Sequence, residues 1–198
     1  KWTSLFLNLS LIIRKVKIRV LIIISLLFAL GTPKTNAQQF TEYEVKAAYI
    51  FNFTKFIKWP EKAFDNNASP YVLGIYGNDP FGDILKNIIL NRESQDRKWV
   101  VKYYSKPEQI QKCHILFIST IQNSELKQIV DHVKTKPILT VGDEISLFCE
   151  QGGIINFAVG NTSKRFEINN TAASHAQLNI SSKLLMLSKI ISNDEIKF

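Results

Sequence analysis

The residues of this chain that could do chemistry are few, and their spacing suits none of the familiar reactions. Gly74–Gly82 (G-I-Y-G-N-D-P-F-G) falls between an apolar run and a helical pattern, where a phosphate-binding loop would stand. Gly77 and Gly82 keep that loop's four-residue gap, but Asp83-Ile84 takes the place of the required Lys and Ser/Thr, and an Asp there would repel phosphate. The segment reads instead as a strand-to-helix turn, with Asn78-Asp79 as cap and Pro80 at the first helical position. His114, His132 and His175 share no metal-ligand spacing with each other or with Cys113 and Cys149. They read as packed or solvated histidines. No serine sits in a G-x-S-x-G elbow, and no Cys-His pair has a local signature. Asp143-Glu144 reads as the charged first turn of a helix rather than as an acid–base pair. The expectation is a protein without catalytic residues, metal or cofactor.

The composition points to binding of a particular kind. The chain has 198 residues, 45% of them hydrophobic and 21% charged, which is a globular composition and one ordinary domain. Its net charge of +8 suggests a nucleic-acid binder until the charges are located. Residues 1–37 hold six Lys/Arg and no acid, which leaves 19 basic against 17 acidic side chains in the rest. A near-neutral body has no electrostatic footprint for DNA or RNA.

The basic excess has its own explanation. Arg14-Lys15-Val16-Lys17-Ile18-Arg19 precedes an eleven-residue apolar run, Val20–Leu30, and small residues end at Ala37. This is the order of a secretory signal peptide, with cleavage expected after Ala37. The apolar run is shorter than the roughly 20 residues that a spanning helix needs. The mature body, 38–198, is therefore expected to be exported. Five N-x-S/T triplets within 38–198, two of them (Asn52 and Asn179) inside amphipathic patterns, favour a bacterial periplasm over a glycosylating route.

Helical and extended patterns then alternate. Thr41–Trp59 is a helix, with Thr41 and Glu44 as a capping box and a stripe of Val45, Ala48, Tyr49, Phe53, Phe56 and Ile57. Six aromatics in this segment exceed what one stripe can bury; most are expected to be core, which leaves partner contact as the lesser reading for some. Strands are expected at 71–76, 99–104, 114–119 and 138–141, and helices at 81–90, 124–134 and 144–150. Strands at 154–159 and 164–168 are joined at Gly160-Asn161 as a hairpin. Asn170–Ile191 keeps a three/four rhythm (Ala173, Ala176, Ile180, Leu184, Leu187, Ile191) and is expected to be one long helix. The fold class is α/β: a single layered domain with a mostly parallel sheet flanked by helices, and an antiparallel strand pair before the C-terminal helix. Cys113 and Cys149, in an oxidising compartment, are open to a disulfide or to two packed thiols.

Several segments together resemble the YfiR family of periplasmic regulators (YfiR/HmsC-like). They are E-Y-E-V-K-A-A-Y-I-F-N-F-T-K-F-I-K-W-P at 42–60, Gly142-Asp143 with F-C-E-Q-G-G-I-I-N-F at 148–157, Phe166-Glu167-Ile168-Asn169, and I-S-S-K-L-L at 180–185. The resemblance implies a periplasmic α/β domain, often a homodimer, with no activity of its own. It implies binding to the periplasmic sensor domain of an inner-membrane diguanylate cyclase, lowering cyclic di-GMP and biofilm formation. Glu167, with Arg165 and Asn169 beside it, falls on the surface that the resemblance associates with partner binding. The charge of Glu167 on an edge strand would also discourage sheet pairing. The family's bridges need more cysteines than this chain has, and Asn156 stands where the partner of Cys149 would be. That departure weighs against a Cys113–Cys149 disulfide. The alternative function is a periplasmic small-molecule receptor or carrier, using a crevice at the strand C-termini near Gly77–Asp79 and Ser119–Asn123.

Overall fold

Thr41 starts the first helix in the way its neighbours dictate. Its hydroxyl accepts from the Glu44 N–H at 3.3 Å, and its own N–H donates to the Glu44 carboxylate at 2.6 Å, closing both halves of the capping box. Helix α1 runs over Glu42–Phe56, and the chain leaves it as a two-residue strand, β1 (Ile57–Lys58). A computed structural model of the chain describes residues 40–119, 121–157 and 165–192. The expected signal peptide and the Gly160-Asn161 turn lie outside those residues.

The extended runs become the strands of one sheet. They are β2 (Tyr71–Tyr76), β3 (Trp99–Tyr104), β4 (Ile115–Ile118), β5 (Leu139–Gly142) and β6 (Ile155–Phe157). Those inside the sheet are buried on both faces, and β3, at its edge, is exposed at Val100, Lys102 and Tyr103. All five pair in parallel, in the order β3-β2-β4-β5-β6. Strand β7 (Phe166–Ile168) then joins β6 antiparallel, and β9 (Lys189–Ile190) joins β7 in parallel as an edge. Gly74 is needed in β2 because a Cβ there would lie 2.7 Å from the Tyr104 ring.

Side chains alternate across the sheet and feed two cores. Leu73, Ile75, Ile115, Phe117 and Val141 face α1. Leu116 and Ile118 face Leu126, Ile129, Val130 and Val133 of α2 (Asn123–Val133). The result is helix, sheet, helix, which is the layered α/β arrangement expected.

Four local expectations are corrected. First, the fully covered face of α1 is Lys46, Ala47, Ile50, Phe51, Phe53 and Thr54; of the expected stripe Phe53 and Ile57 are fully buried, while Val45, Ala48, Tyr49 and Phe56 are partly so. All six aromatics of 43–59 lie in the core or pack against it, Phe51 and Phe53 fully buried and Tyr43, Tyr49, Phe56 and Trp59 partly so, as the core reading of most of them expects. Phe53 contacts Phe157 and Phe166, Phe51 contacts Trp99, and Tyr43 contacts Phe81.

Second, the long C-terminal helix is four short elements. Helix α3 (Asn170–His175) stops where Gln177 turns left-handed at φ 59°. Strand β8 (Asn179–Ile180) then pairs antiparallel with β1, Ser181 caps α4 (Ser182–Met186), and β9 follows. The apolar rhythm was a record of burial, not of one helix: Ala173, Ala176, Ile180, Leu184 and Ile191 are buried, while Leu187 is 60% exposed.

Third, 144–150 is a run of turns with Glu144 and Leu147 at positive φ. Fourth, the 81–90 helix survives only as a wide helical turn centred on Lys86–Leu90.

Candidate partner-binding surface

The residues singled out in the sequence lie on or beside β7, and alternation decides what each can do. Phe166 and Ile168 point into the core, so Arg165, Glu167 and Asn169 share the opposite direction. Arg165 is exposed at the strand's start. Glu167, with 21% of its side chain exposed, accepts from Lys189 Nζ at 3.0 Å across the β7–β9 pair. Asn169 is fully buried. It accepts from Ala172 N–H as the cap of α3 and donates to the Cys149 carbonyl, both at 2.8 Å. Asn169 therefore supports the surface from beneath, while Arg165 and Glu167 form part of it.

The surroundings of this pair were not visible in the sequence. Breaking the last segment into α4 and β9 leaves Met186, Leu187 and Ile190 at 69%, 60% and 56% exposure next to Lys189. Strand β9 lies at the edge of the sheet. Lys189 shares the face of its register partner Glu167, and Ile190 that of Ile168, so the edge offers the ion pair on one side and an exposed apolar side chain on the other, the mixed polar and apolar character of protein interfaces. The predicted long helix hid it by assigning Leu187 to the core.

A second cluster, also missed, joins α1 to the carboxyl end of β5. Lys46, 5% exposed, donates to Asp143 at 2.6 Å and to Glu144 at 3.0 Å, and pairs with Glu42 one turn back. Tyr43 donates to the other Asp143 oxygen at 3.2 Å. Burial opposes the ammonium, but its hydrogen bonds to Asp143, Glu42 and Glu144 outweigh that and hold the Lys46 pKa above the ordinary lysine value. Burial first, and the Asp143 charge second, raise the Tyr43 pKa. A lysine so held offers no free amine for nucleophilic chemistry. It works as a pin, and the left-handed turn at Glu144 (φ 56°) helps aim the second carboxylate.

The remaining expected positions are occupied by packing. His114 Nδ1 accepts from Val72 N–H at 3.0 Å and Nε2 donates to the Ala63 carbonyl at 3.0 Å, which fixes a neutral ring. Burial pushes its pKa down to about 4. Cys113 and Cys149 are both buried and free. Asn156, where the resemblance places a cysteine, instead holds the backbone of Ile145 twice: it accepts from the N–H at 3.1 Å and donates to the carbonyl at 2.9 Å. At the expected crevice near the strand C-termini, the turn at Gly77 packs tightly on Ser119. The Ser119 hydroxyl donates to the Asn78 carbonyl, and a Cβ on Gly77 would lie 2.5 Å from Ser119 O. Among the described residues, no helix is long and apolar enough to cross a membrane, and no cluster of His, Cys, Asp and Glu has the makings of a metal site.

Comparison with known proteins bears on the whole of this arrangement. The family model described as YfiR/HmsC-like matches residues 43–189, from the first turn of α1 to β9. No curated protein matches the chain.

Proposed function

Since the chain belongs to the YfiR/HmsC-like family, we propose that it is a periplasmic, non-enzymatic regulator that binds the sensor domain of an inner-membrane diguanylate cyclase and represses it. The observation that carries this reading is the β7–β9 edge, where the Glu167–Lys189 pair adjoins exposed Met186, Leu187 and Ile190. The buried, carboxylate-bound Lys46 and the neutral, doubly bonded His114 support a binding role over a catalytic one.

The mechanism is population shift. The domain moves the cyclase only by the difference between its affinities for the inactive and active states. Swinging that equilibrium from almost fully active to almost fully inactive requires a preference of about 10⁴-fold. Such a preference is a matter of surface complementarity, and a charge reversal at its rim would undo it. The test is co-purification of the tagged protein with detergent-solubilised inner membrane, followed by identification of the retained proteins. The expected result is a membrane protein with a periplasmic sensor and a cyclase domain, retained by the natural chain and lost with Glu167→Lys. Retention of no membrane protein, or equal retention by the variant, contradicts the reading.

A further inference from the structure

On the α2 side of the sheet, at the amino ends of β2, β3 and β4, the surface opens into a groove of about 600 Å³. This is the opposite end of the strands from Gly77, and the other side of the sheet order from β7–β9. Its volume is within the range of roughly 300–1,000 Å³ typical of small-molecule sites.

The charges around it are one-sided. Lys62, Lys102, Lys112 and Lys136 line it, against Asp65 alone, in a body whose basic and acidic residues nearly balance. Lys112 meets Asp65 at 2.9 Å, but both side chains are more than 70% exposed, so water and a competing anion can replace that contact at little cost. Lys136 Nζ donates to the Ile110 carbonyl at 3.3 Å and lies 2.8 Å from His132 Nε2, with no carboxylate among these contacts. Lys62 and Lys102 make no ion pair among the described residues. The groove thus carries positive charge that the fold does not neutralise.

Its walls are apolar and held in place. Phe64, Val72, Val100 and Ile138 line it. The Phe64 ring stacks on His114 with centroids 4.3 Å apart and planes 17° apart, and Arg97 lies over Phe64 at 3.9 Å. His114 is itself fixed by Val72 and Ala63, so this stack is anchored to the fold while the rim is cationic.

We propose that this groove is a binding site for a small amphipathic anion, its apolar body against the register pair Val72 and Val100 and its anionic group met by Lys102 and Lys136. The inference does not rest on the regulatory reading above. The probe is 8-anilino-1-naphthalenesulfonate, compared with N-phenyl-1-naphthylamine, which has the same ring system without the sulfonate. Saturable fluorescence binding of the sulfonate is expected at a single site. The neutral probe, and the Lys102→Gln/Lys136→Gln double variant with the sulfonate, should each bind about tenfold more weakly. Lys127→Gln, an exposed lysine of α2 outside the groove, should bind like the natural chain. Raising the salt concentration should weaken the sulfonate and not the neutral probe, a readout that needs no variant. Octyl phosphate and octanoate, added as competitors, distinguish a phosphate from a carboxylate ligand by which displaces the probe better. Equal binding of the two probes, binding unaffected by the double variant and by salt, or displacement by neither competitor overturns the proposal.

Discussion

Lys46 and Asp143 lie 97 residues apart in the chain and 2.6 Å apart in the fold. Each belongs to a segment that carries the family resemblance, so the contact joins the family's first helix to the end of its central strand. Lys46 is the common partner of Asp143, Glu144 and Glu42. Removing it leaves carboxylates facing one another with their shared cation gone. Lys46→Met should destabilise the fold by about 2–3 kcal/mol, read as a fall in the urea midpoint. Asp143→Asn should cost less, because Glu144 and Glu42 still hold the ammonium. The double variant should cost less than the sum of the two. Additive losses would mean that the two residues act separately.

His114 gives the fold a pH dependence of known sign. Its pKa falls from 6.5 in the unfolded chain to about 4 in the fold, through burial first. Between those values the unfolded chain takes up a proton that the folded chain refuses, so stability declines as pH drops through that window. The full effect is up to about 3 kcal/mol. His114→Gln can keep both hydrogen bonds but cannot titrate, so its stability should fall less steeply between pH 6.5 and 4. Glu42, Asp65 and Asp131, held low by Lys46, Lys112 and Lys134 respectively, act in both proteins and cancel in the comparison. Parallel pH profiles would show that His114 is not the group responsible.

Asn156 supplies by hydrogen bonds a link between β6 and the 143–150 turns. Asn156→Ala leaves the Ile145 N–H and carbonyl without those partners and should cost about 2 kcal/mol. Faster amide exchange should appear at Ile145. An unchanged midpoint would mean that the turns are held by other contacts.

Burial pushes the Cys113 thiol up to about 12 and raises that of Cys149 as well. Neither should react with a disulfide reagent at pH 7 in the folded protein, and both should react in urea. Release of fewer than two thiols on unfolding would reveal an oxidised pair.

The strands were the most legible part of the sequence. Runs such as Tyr71–Tyr76 and Trp99–Tyr104 coincide with β2 and β3 end to end, because a short run rich in β-branched and aromatic residues has few alternatives. The Thr41 cap was legible for a similar reason: its partners lie three residues away. The stretch after Asn170 was not. Three/four spacing reports which residues are buried, and a helix broken at Gln177 buries Ala173, Ala176, Ile180 and Leu184 as well as an unbroken one would. The Lys46 cluster was beyond reach because a lysine within an amphipathic helix normally faces solvent, and only tertiary folding brings Asp143 to it. At the candidate surface, Arg165 and Glu167 were marked in advance by the resemblance. Their apolar neighbours Met186, Leu187 and Ile190 were not, since their exposure depends on the break at Gln177.

The Glu167–Lys189 pair separates stability from partner binding. It is a surface contact worth at most about 1 kcal/mol, so Glu167→Lys should fold normally. Adding Lys189→Glu to that variant restores an ion pair of reversed polarity. It should recover any lost stability without recovering the partner. Recovery of both would mean that the pair acts only by holding β9 in place.

The account is tested most directly by cyclic di-GMP levels in cells. Deleting the gene should raise the nucleotide. Restoring the natural chain should bring it back down, and restoring the Glu167→Lys form, at equal abundance in the periplasm, should not. A level that stays the same after deletion, or that the variant restores fully, would contradict regulation of a cyclase through this surface.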